Sequence, residues 1–391
     1  MIVGLIIEAN PYHNGHKYLV NKAFELYNDP TLICVTSTSF TMRGEISIID
    51  KFTKINTYLQ EGIDIITELP ITSTLQSADY FAYNAVSTLH KLGVTDILVG
   101  CENDDISLLD YYYNVINSEE YTKTFKQNLS LNLGYKKTHE KTLVDLNISS
   151  ELIELFNSPN MTLTYQYYKV IKDNNYNINL KLIKRTTNYY QTTSTSSIYA
   201  SASYIRDLVK NKEDFSKFIP YNYKILPLRE AEIKLSTIIN FQSILHHTPE
   251  DLDKVNNNDE GIINYIIKNG DFSSNYDALL SSLKNKKYTI NRIRRVLLSF
   301  ILNIPKGYNK EDSYLRLLGM SHKGRNHVNK LPKEIKSNIF STPKELEKLD
   351  NERHKTILNY ELLSTKLYSL LSNDIDLYQN EFKLPIKKEE K

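Results

Sequence analysis

Cysteine is scarce in this chain: 391 residues carry only Cys34 and Cys101. Two cysteines without paired spacing give neither a disulfide framework nor a thiolate metal site, and they fit a reducing, cytoplasmic setting. Long apolar runs are also missing. None approaches the ~20 residues that a membrane span needs, so no membrane role is expected. The first residues are apolar but lack a basic leader and meet Glu8 at once, which does not read as a signal peptide. A strong charge of either sign is absent too, the formal net charge being +2. Any surface for a nucleic acid must therefore come from local clustering. What remains, 41% hydrophobic and 24% charged, is the make-up of a soluble globular protein of two or three domains.

The first half alternates strand and helix patterns. Residues 2–7 (IVGLII), 31–37 (TLICVTS), 63–69 (IDIITEL), 95–99 (TDILV) and 178–184 (INLKLIK) read as strands, the early ones apolar enough to be buried on both faces. Helical patterns separate them, with an extra helical insert over 106–157. This is the pattern of an α/β fold with a doubly wound parallel sheet, whose ligands sit at the carboxyl ends of strands. From about 219 the alternation stops. Pro220 and Pro227 mark a joint, and helical patterns fill the rest. The expected division is a catalytic α/β domain over 1–218 and an all-α domain over 219–391.

The stretch around which the chain is organised is VGLIIEANPYHNGHKYL, residues 3–19. A strand ends, Pro11 breaks it, and a helix opens at His13-Asn14-Gly15-His16. Helix starts offer unpaired N–H groups and a partial positive charge to anions, and Gly15 lets a ligand approach the backbone. His13 and His16, three apart, can face that anion together as catalytic donors. A zinc site would want a third ligand, and none of the other histidines has the spacing for one. Further on, Ser201-Ala202-Ser203-Tyr204-Ile205-Arg206 starts a helix with hydroxyls at its cap and Arg206 in its first turns. Ser203 and Arg206 are therefore polyphosphate candidates.

The later half carries one charge cluster. Lys284, Lys286, Lys287, Arg292, Arg294, Arg295, Lys306 and Lys310 fall in one span without an acidic residue. Arg292 and Arg295 lie opposite the apolar stripe of Ile293, Leu297, Ile301 and Ile304, and are candidates for an RNA backbone. Residues 319–325 (GMSHKGR) read as a basic loop.

The H-x-G-H loop resembles that of the nucleotidyltransferase superfamily, which includes the class I aminoacyl-tRNA synthetases. With MRGEISIIDK (42–51), QSADYFAYNAV (76–86), VGCEND (99–104), SPNMTL (158–163), IKR (183–185), SASYIR (201–206), NRIRRVLL (291–298) and YLRLLG (314–319), the chain resembles the bacterial tRNA(Met) cytidine acetate ligase family over nearly its whole length. Two departures stand out. TTNYYQ at 186–191 replaces a Gly-containing stretch ending in Tyr-His-Asp, and Met161 and Thr164 stand where the family tends to have Asn and Gly.

The resemblance implies that acetate is activated with ATP to acetyl-adenylate, and that the acetyl group passes to N4 of the wobble cytidine of elongator tRNA(Met). It implies ATP contacts from Ile7, Glu8, Ala9, Asn10, Pro11, Tyr12, His13, Asn14, Gly15, His16, Lys17, Tyr18, Leu19 and Val20, and from Gly100, Asn160 and Arg185. Mg²⁺ is expected on the phosphates rather than on protein ligands. The partners expected are the tRNA, ATP and acetate, not DNA. Arg43, Glu45, Asp50 and Lys51 are unranked candidates for acetate and cytidine. Rival readings are a small-molecule adenylyltransferase and a non-catalytic, ATP-dependent RNA-binding protein.

Overall fold

The computed structural model describes residues 1–185, 197–245, 248–270, 275–285, 287–310, 314–348 and 351–387. The stretch 186–191, singled out above, lies outside them, as does Lys286. Five parallel strands form the sheet's body: β1 (Ile2–Ile6), β2 (Thr31–Thr36), β3 (Ile65–Glu68), β4 (Asp96–Cys101) and β5 (Asn179–Lys184), in spatial order β5-β4-β1-β2-β3. In register, Leu5 of β1 faces Cys34 of β2 and Leu98 of β4. The chain winds from β1 towards β3 on one side and returns to β4 and β5 on the other. The switch point therefore falls between β1 and β4, where open α/β sheets leave a crevice.

Both faces of β1 are covered, which is why its sequence is apolar without alternation. Val3 and Leu5 pack against Val20 and Ala23 of helix α1 (Asn14–Leu26) and Ile55 and Leu59 of helix α2 (Lys51–Gln60). On the opposite face, Ile33 and Val35 of β2 pack with Phe81, Ala85 and Leu89 of helix α3 (Ala78–Lys91). Phe24 of α1 is 44% exposed, and Val20 and Ala23 are the residues that the helix buries. The insert is helical, as expected, with four helices between Ile106 and Asn157. It is followed by α8 (Pro159–Asp173), numbering the insert's helices α4 to α7.

Beyond 219 the chain is largely helical, but three strands amend the all-α reading, the short pairs Ile339–Phe340 and Ile386–Lys387 both lying against a longer one. Strand β6 (Leu315–Met320) returns to the sheet and pairs antiparallel with β3. The motif YLRLLG is this strand. Residues 319–325 are correspondingly not a basic loop but the end of β6 and the start of a helix at His322–Lys330. A buried ion cluster fastens this edge. Lys51 Nζ lies 3.1 Å from Glu68 Oε2, 2.5 Å from Glu381 Oε1 and 3.4 Å from Glu361 Oε1. Arg316 of β6 reaches Glu68 at 3.2 Å and Glu381 at 2.7 Å.

Candidate active site

The carboxyl end of β1 runs directly into the site. Ile7 N–H still donates to Val35 O, after which Ala9 takes a φ of +47° and the Asn10–Pro11 peptide is cis. Asn10 then clasps the neighbouring loop, donating through Nδ2 to Ile46 O and accepting from Ile48 N–H. His13 caps α1. Its Nδ1 accepts from Gly15 N–H at 3.0 Å, while His16 Nδ1 accepts from His13 N–H at 3.2 Å, a reciprocal capping box built from imidazoles. Gly15 is required for this fold-back, since a Cβ there would lie 2.8 Å from His13 Cε1.

That arrangement fixes the chemistry of both rings. A ring nitrogen that accepts a hydrogen bond carries no proton, so each neutral imidazole bears its hydrogen on Nε2. Burial lowers the pKa of His13 well below the usual value, helped by His16, Arg185 and Arg206. Burial lowers that of His16 to about 3, helped by Arg185 and Lys54. At neutral pH the pair is uncharged, and its Nε2–H groups remain as donors.

A cleft of about 230 Å³ opens over them at the ends of β1, β4 and β5. Of the expected ATP contacts, Ile7, Glu8, Ala9, Asn10, His13, Gly15, His16, Tyr18 and Leu19 line it, as do Gly100, Asn160, Arg185, Ser203 and Arg206. Pro11, Tyr12, Asn14, Lys17 and Val20 do not. Tyr12 and Val20 are core, Asn14 donates to Ile198 O and Lys217 O, and Lys17 pairs with Glu61. Asn160 donates to Glu102 Oε1 at 2.7 Å, a partner the sequence did not single out. Helix α9 (Ala202–Asn211) points its start at the cleft, with Ser201 Oγ as its cap. Arg206 donates to Asn10 O at 2.7 Å and pairs with Glu45 at 2.9 Å. The wall formed by Leu163, Tyr167, Tyr199 and Ala200 escaped the sequence reading because such apolar positions carry no local signal.

A model of the HIGH nucleotidyl transferase family matches residues 1–382. The tRNA(Met) cytidine acetate ligase of Clostridium kluyveri is 30% identical over 98% of both chains, and that of Mycoplasma mobile is 32% identical over 78% of this chain and all of its own. The chain belongs to the tRNA(Met) cytidine acetate ligase family. Its fold is also that of Thermotoga maritima TmcAL bound with α-thio-ATP, with a TM-score of 0.83 and 24% identity over 99% of each chain.

Within this family frame, the remaining candidates separate. Arg43 and Glu45 line the cleft. Asp50 instead caps α2, accepting from Phe52 and Thr53 N–H, and Lys51 is sealed in the ion cluster, so neither lines the cleft. Arg292 and Arg295 sit on helix α13 (Ile290–Ile301), counting the helices Leu228–Leu245, Ile262–Asn269 and Tyr276–Ser282 as α10 to α12. Arg292 pairs with Glu260 at 3.3 Å and stacks on Tyr288. Arg295 turns towards Met42 O. Gly44, at φ +70°, makes this approach possible, because a Cβ there would sit 2.7 Å from Arg294 Cβ. Among the described residues no group of three or more His, Cys, Asp or Glu could hold a metal ion. Among the described residues no helix is long and apolar enough to cross a membrane.

Proposed function

We propose that this chain activates acetate with ATP to acetyl-adenylate and transfers the acetyl group to N4 of the wobble cytidine of elongator tRNA(Met). The observation that carries the first step is the pair of neutral imidazoles at the start of α1. Acetate is a weak nucleophile towards phosphorus, so the site must hold its carboxylate in line with the α-phosphate and stabilise the departing pyrophosphate. Positioning and charge stabilisation do this without a covalent enzyme intermediate. His13 and His16 donate Nε2–H bonds to phosphate oxygens, and Arg185 and Arg206 carry charge as it moves onto the pyrophosphate. Ser203 and the start of α9 add donors on the same side. Gly100 and Asn160 shape the adenosine end. Mg²⁺ arrives on the nucleotide, as part of the substrate.

The part from 219 onwards grips the tRNA backbone. Lys284, Lys287, Lys306 and Lys310 are exposed there, with Arg292 on the same helix as Arg295, which approaches Met42 at the cleft. A tRNA substrate places the reaction in the cytoplasm. The deciding assay supplies ATP, labelled acetate and bulk tRNA and analyses nucleosides. N4-acetylcytidine formed only with all three supports the reading. A dinucleotide product, or ATP binding without acetate-dependent pyrophosphate release, overturns it.

A further inference from the structure

When the cytidine amine attacks an acyl-adenylate, N4 gains a bond to carbon and must lose a proton. A proton acceptor is therefore needed in a cleft otherwise furnished with donors for anions. The imidazoles cannot serve: in each, Nδ1 already accepts a backbone N–H, Nε2 carries the hydrogen, and the pKa is depressed. Two carboxylates line the cleft among the described residues, Glu8 and Glu45. Glu45 is spent on two arginines, Oε2 to Arg206 at 2.9 Å and Oε1 to Arg294 at 3.3 Å. Both of its oxygens are therefore already occupied by guanidinium groups.

Glu8 differs. Its Oε1 accepts from Ser37 Oγ at 2.9 Å and from Met42 N–H at 2.6 Å, which locks the side chain. Its Oε2 accepts from no described residue and is left to the cleft. Glu8 also leans to the β2 side of β1, away from Gly100, Asn160 and Arg185 at the adenosine end. A carboxylate beside two anionic substrates weakens their binding, so its presence calls for another use.

Building on the function proposed above, we propose that Glu8 is the general base of the acetyl-transfer step. The N4 lone pair forms the C–N bond to the acetyl carbon. The bond from that carbon to the phosphate oxygen breaks, its electron pair leaving with AMP. The N4 proton passes to Glu8 Oε2 and later to water. Burial raises the Glu8 pKa above 4.5 against the opposing pull of its Met42 and Ser37 hydrogen bonds and the charges of Lys54 and Arg43. Tyr58 and Tyr167, the other titratable groups facing it, stay protonated because burial raises both phenols. A carboxylate whose pKa is raised is a better proton acceptor than one held low.

The test separates the two half-reactions in Glu8→Gln, which keeps an oxygen for Ser37 and Met42. One measurement is acetate-dependent exchange of labelled pyrophosphate into ATP, and the other is single-turnover transfer from preformed acetyl-adenylate to tRNA. Transfer should fall by roughly 10²–10⁴ beyond any loss in exchange. The acid limb of the wild-type transfer profile, with its midpoint above pH 4.5, should vanish from the residual activity. Equal losses in both half-reactions would make Glu8 a loop clasp only and overturn the proposal, as would transfer within tenfold of wild type. If the variant does not fold, the wild-type profile decides, and a transfer rate unchanged down to pH 4.5 overturns it. Absence of exchange in the wild-type chain would instead sink the ligase reading, independently of Glu8.

Discussion

Two regions of this molecule gather charged and titratable groups from distant parts of the chain, and they do opposite things with them. In the ion cluster, Lys51 and Arg316 face Glu68, Glu361 and Glu381, all nearly inaccessible to water, and each cation is met by carboxylates. In the cleft, His13, His16 and Arg206 are tied at one end by the backbone or by Glu45, and their remaining donors face open space. Charge satisfied internally fastens the fold, whereas charge anchored on one side only is available to a ligand. The largest effect expected comes from breaking the first region. Lys51→Met leaves three buried carboxylates short of a cation and should cost about 3–5 kcal/mol in urea unfolding. Below the new midpoint, pyrophosphate exchange per folded molecule should stay within about threefold of wild type. A loss of stability under 1 kcal/mol would show that the cluster is not the fastening it resembles.

The mirror experiment breaks the second region. His16→Ala removes one Nε2–H donor and should lower acetate-dependent exchange by about 10²–10³, or 2.7–4 kcal/mol of transition-state stabilisation. Stability should drop by only about 1 kcal/mol, the worth of the lost cap contact with His13 N–H. Full exchange by a folded His16→Ala variant would remove this loop from the chemistry. Taken together, the two variants should separate stability from activity in opposite directions.

The two regions also differed in how far the sequence disclosed them. The five parallel strands and the His13 loop were readable because each βα unit is local: an apolar run, a breaker and a helix start follow one another directly. Gly15 and the His-x-x-His spacing stated their own purpose. The ion cluster was opaque, since Lys51 meets Glu361 and Glu381 from 310 and 330 residues away. Read alone beside Asp50, it looked like a substrate contact. Strand β6 was missed for a related reason: a six-residue apolar run among helices fits either element until its neighbour is known. Arg292 and Arg295 were placed opposite the apolar stripe from periodicity, but Glu260 and Met42 O, which occupy them, come from other segments.

A subtler way to sharpen the comparison is pH. Burial, reinforced by Glu68, pushes the Glu361 pKa up to about 7, while Lys51 and Arg316 overcome burial to bring Glu381 down to about 2. The native state thus holds the Glu361 proton more tightly than the unfolded chain, whose carboxyl titrates near 4.5. Its stabilising contribution is complete below pH 4.5 and is lost as the pH rises to about 7. Glu381 acts in reverse, contributing fully above pH 4.5 and losing that contribution as the pH falls towards 2. Glu361→Gln should therefore flatten the decline in stability between pH 4.5 and 7, by up to about 1.4 kcal/mol per pH unit. The acid-side loss should persist. An unchanged neutral-side slope would mean that Glu361 is ionised in the fold.

The smallest effect expected tests whether the rule of one-sided anchoring extends to the RNA surface. Arg292 already has Glu260 at 3.3 Å and Asp259 O at 3.0 Å, while Lys306 and Lys310 are exposed at the far end of the same span. Lys310 lies 5.1 Å over the Tyr83 ring, but a cation that must leave a carboxylate gains less from a phosphate than one that leaves water or a ring face. Lys306→Ala with Lys310→Ala should weaken tRNA binding by roughly fivefold, about 1 kcal/mol. It should also reduce the slope of log affinity against log salt by up to about 0.9 for each lost phosphate contact. Pyrophosphate exchange, which involves no tRNA, should not change. Arg292→Ala should alter the salt slope less than either lysine does. If Arg292→Ala reduces that slope more than the double lysine variant, the arginine exchanges Glu260 for phosphate on binding. The tRNA footprint would then run along α13 towards the cleft rather than around 306–310.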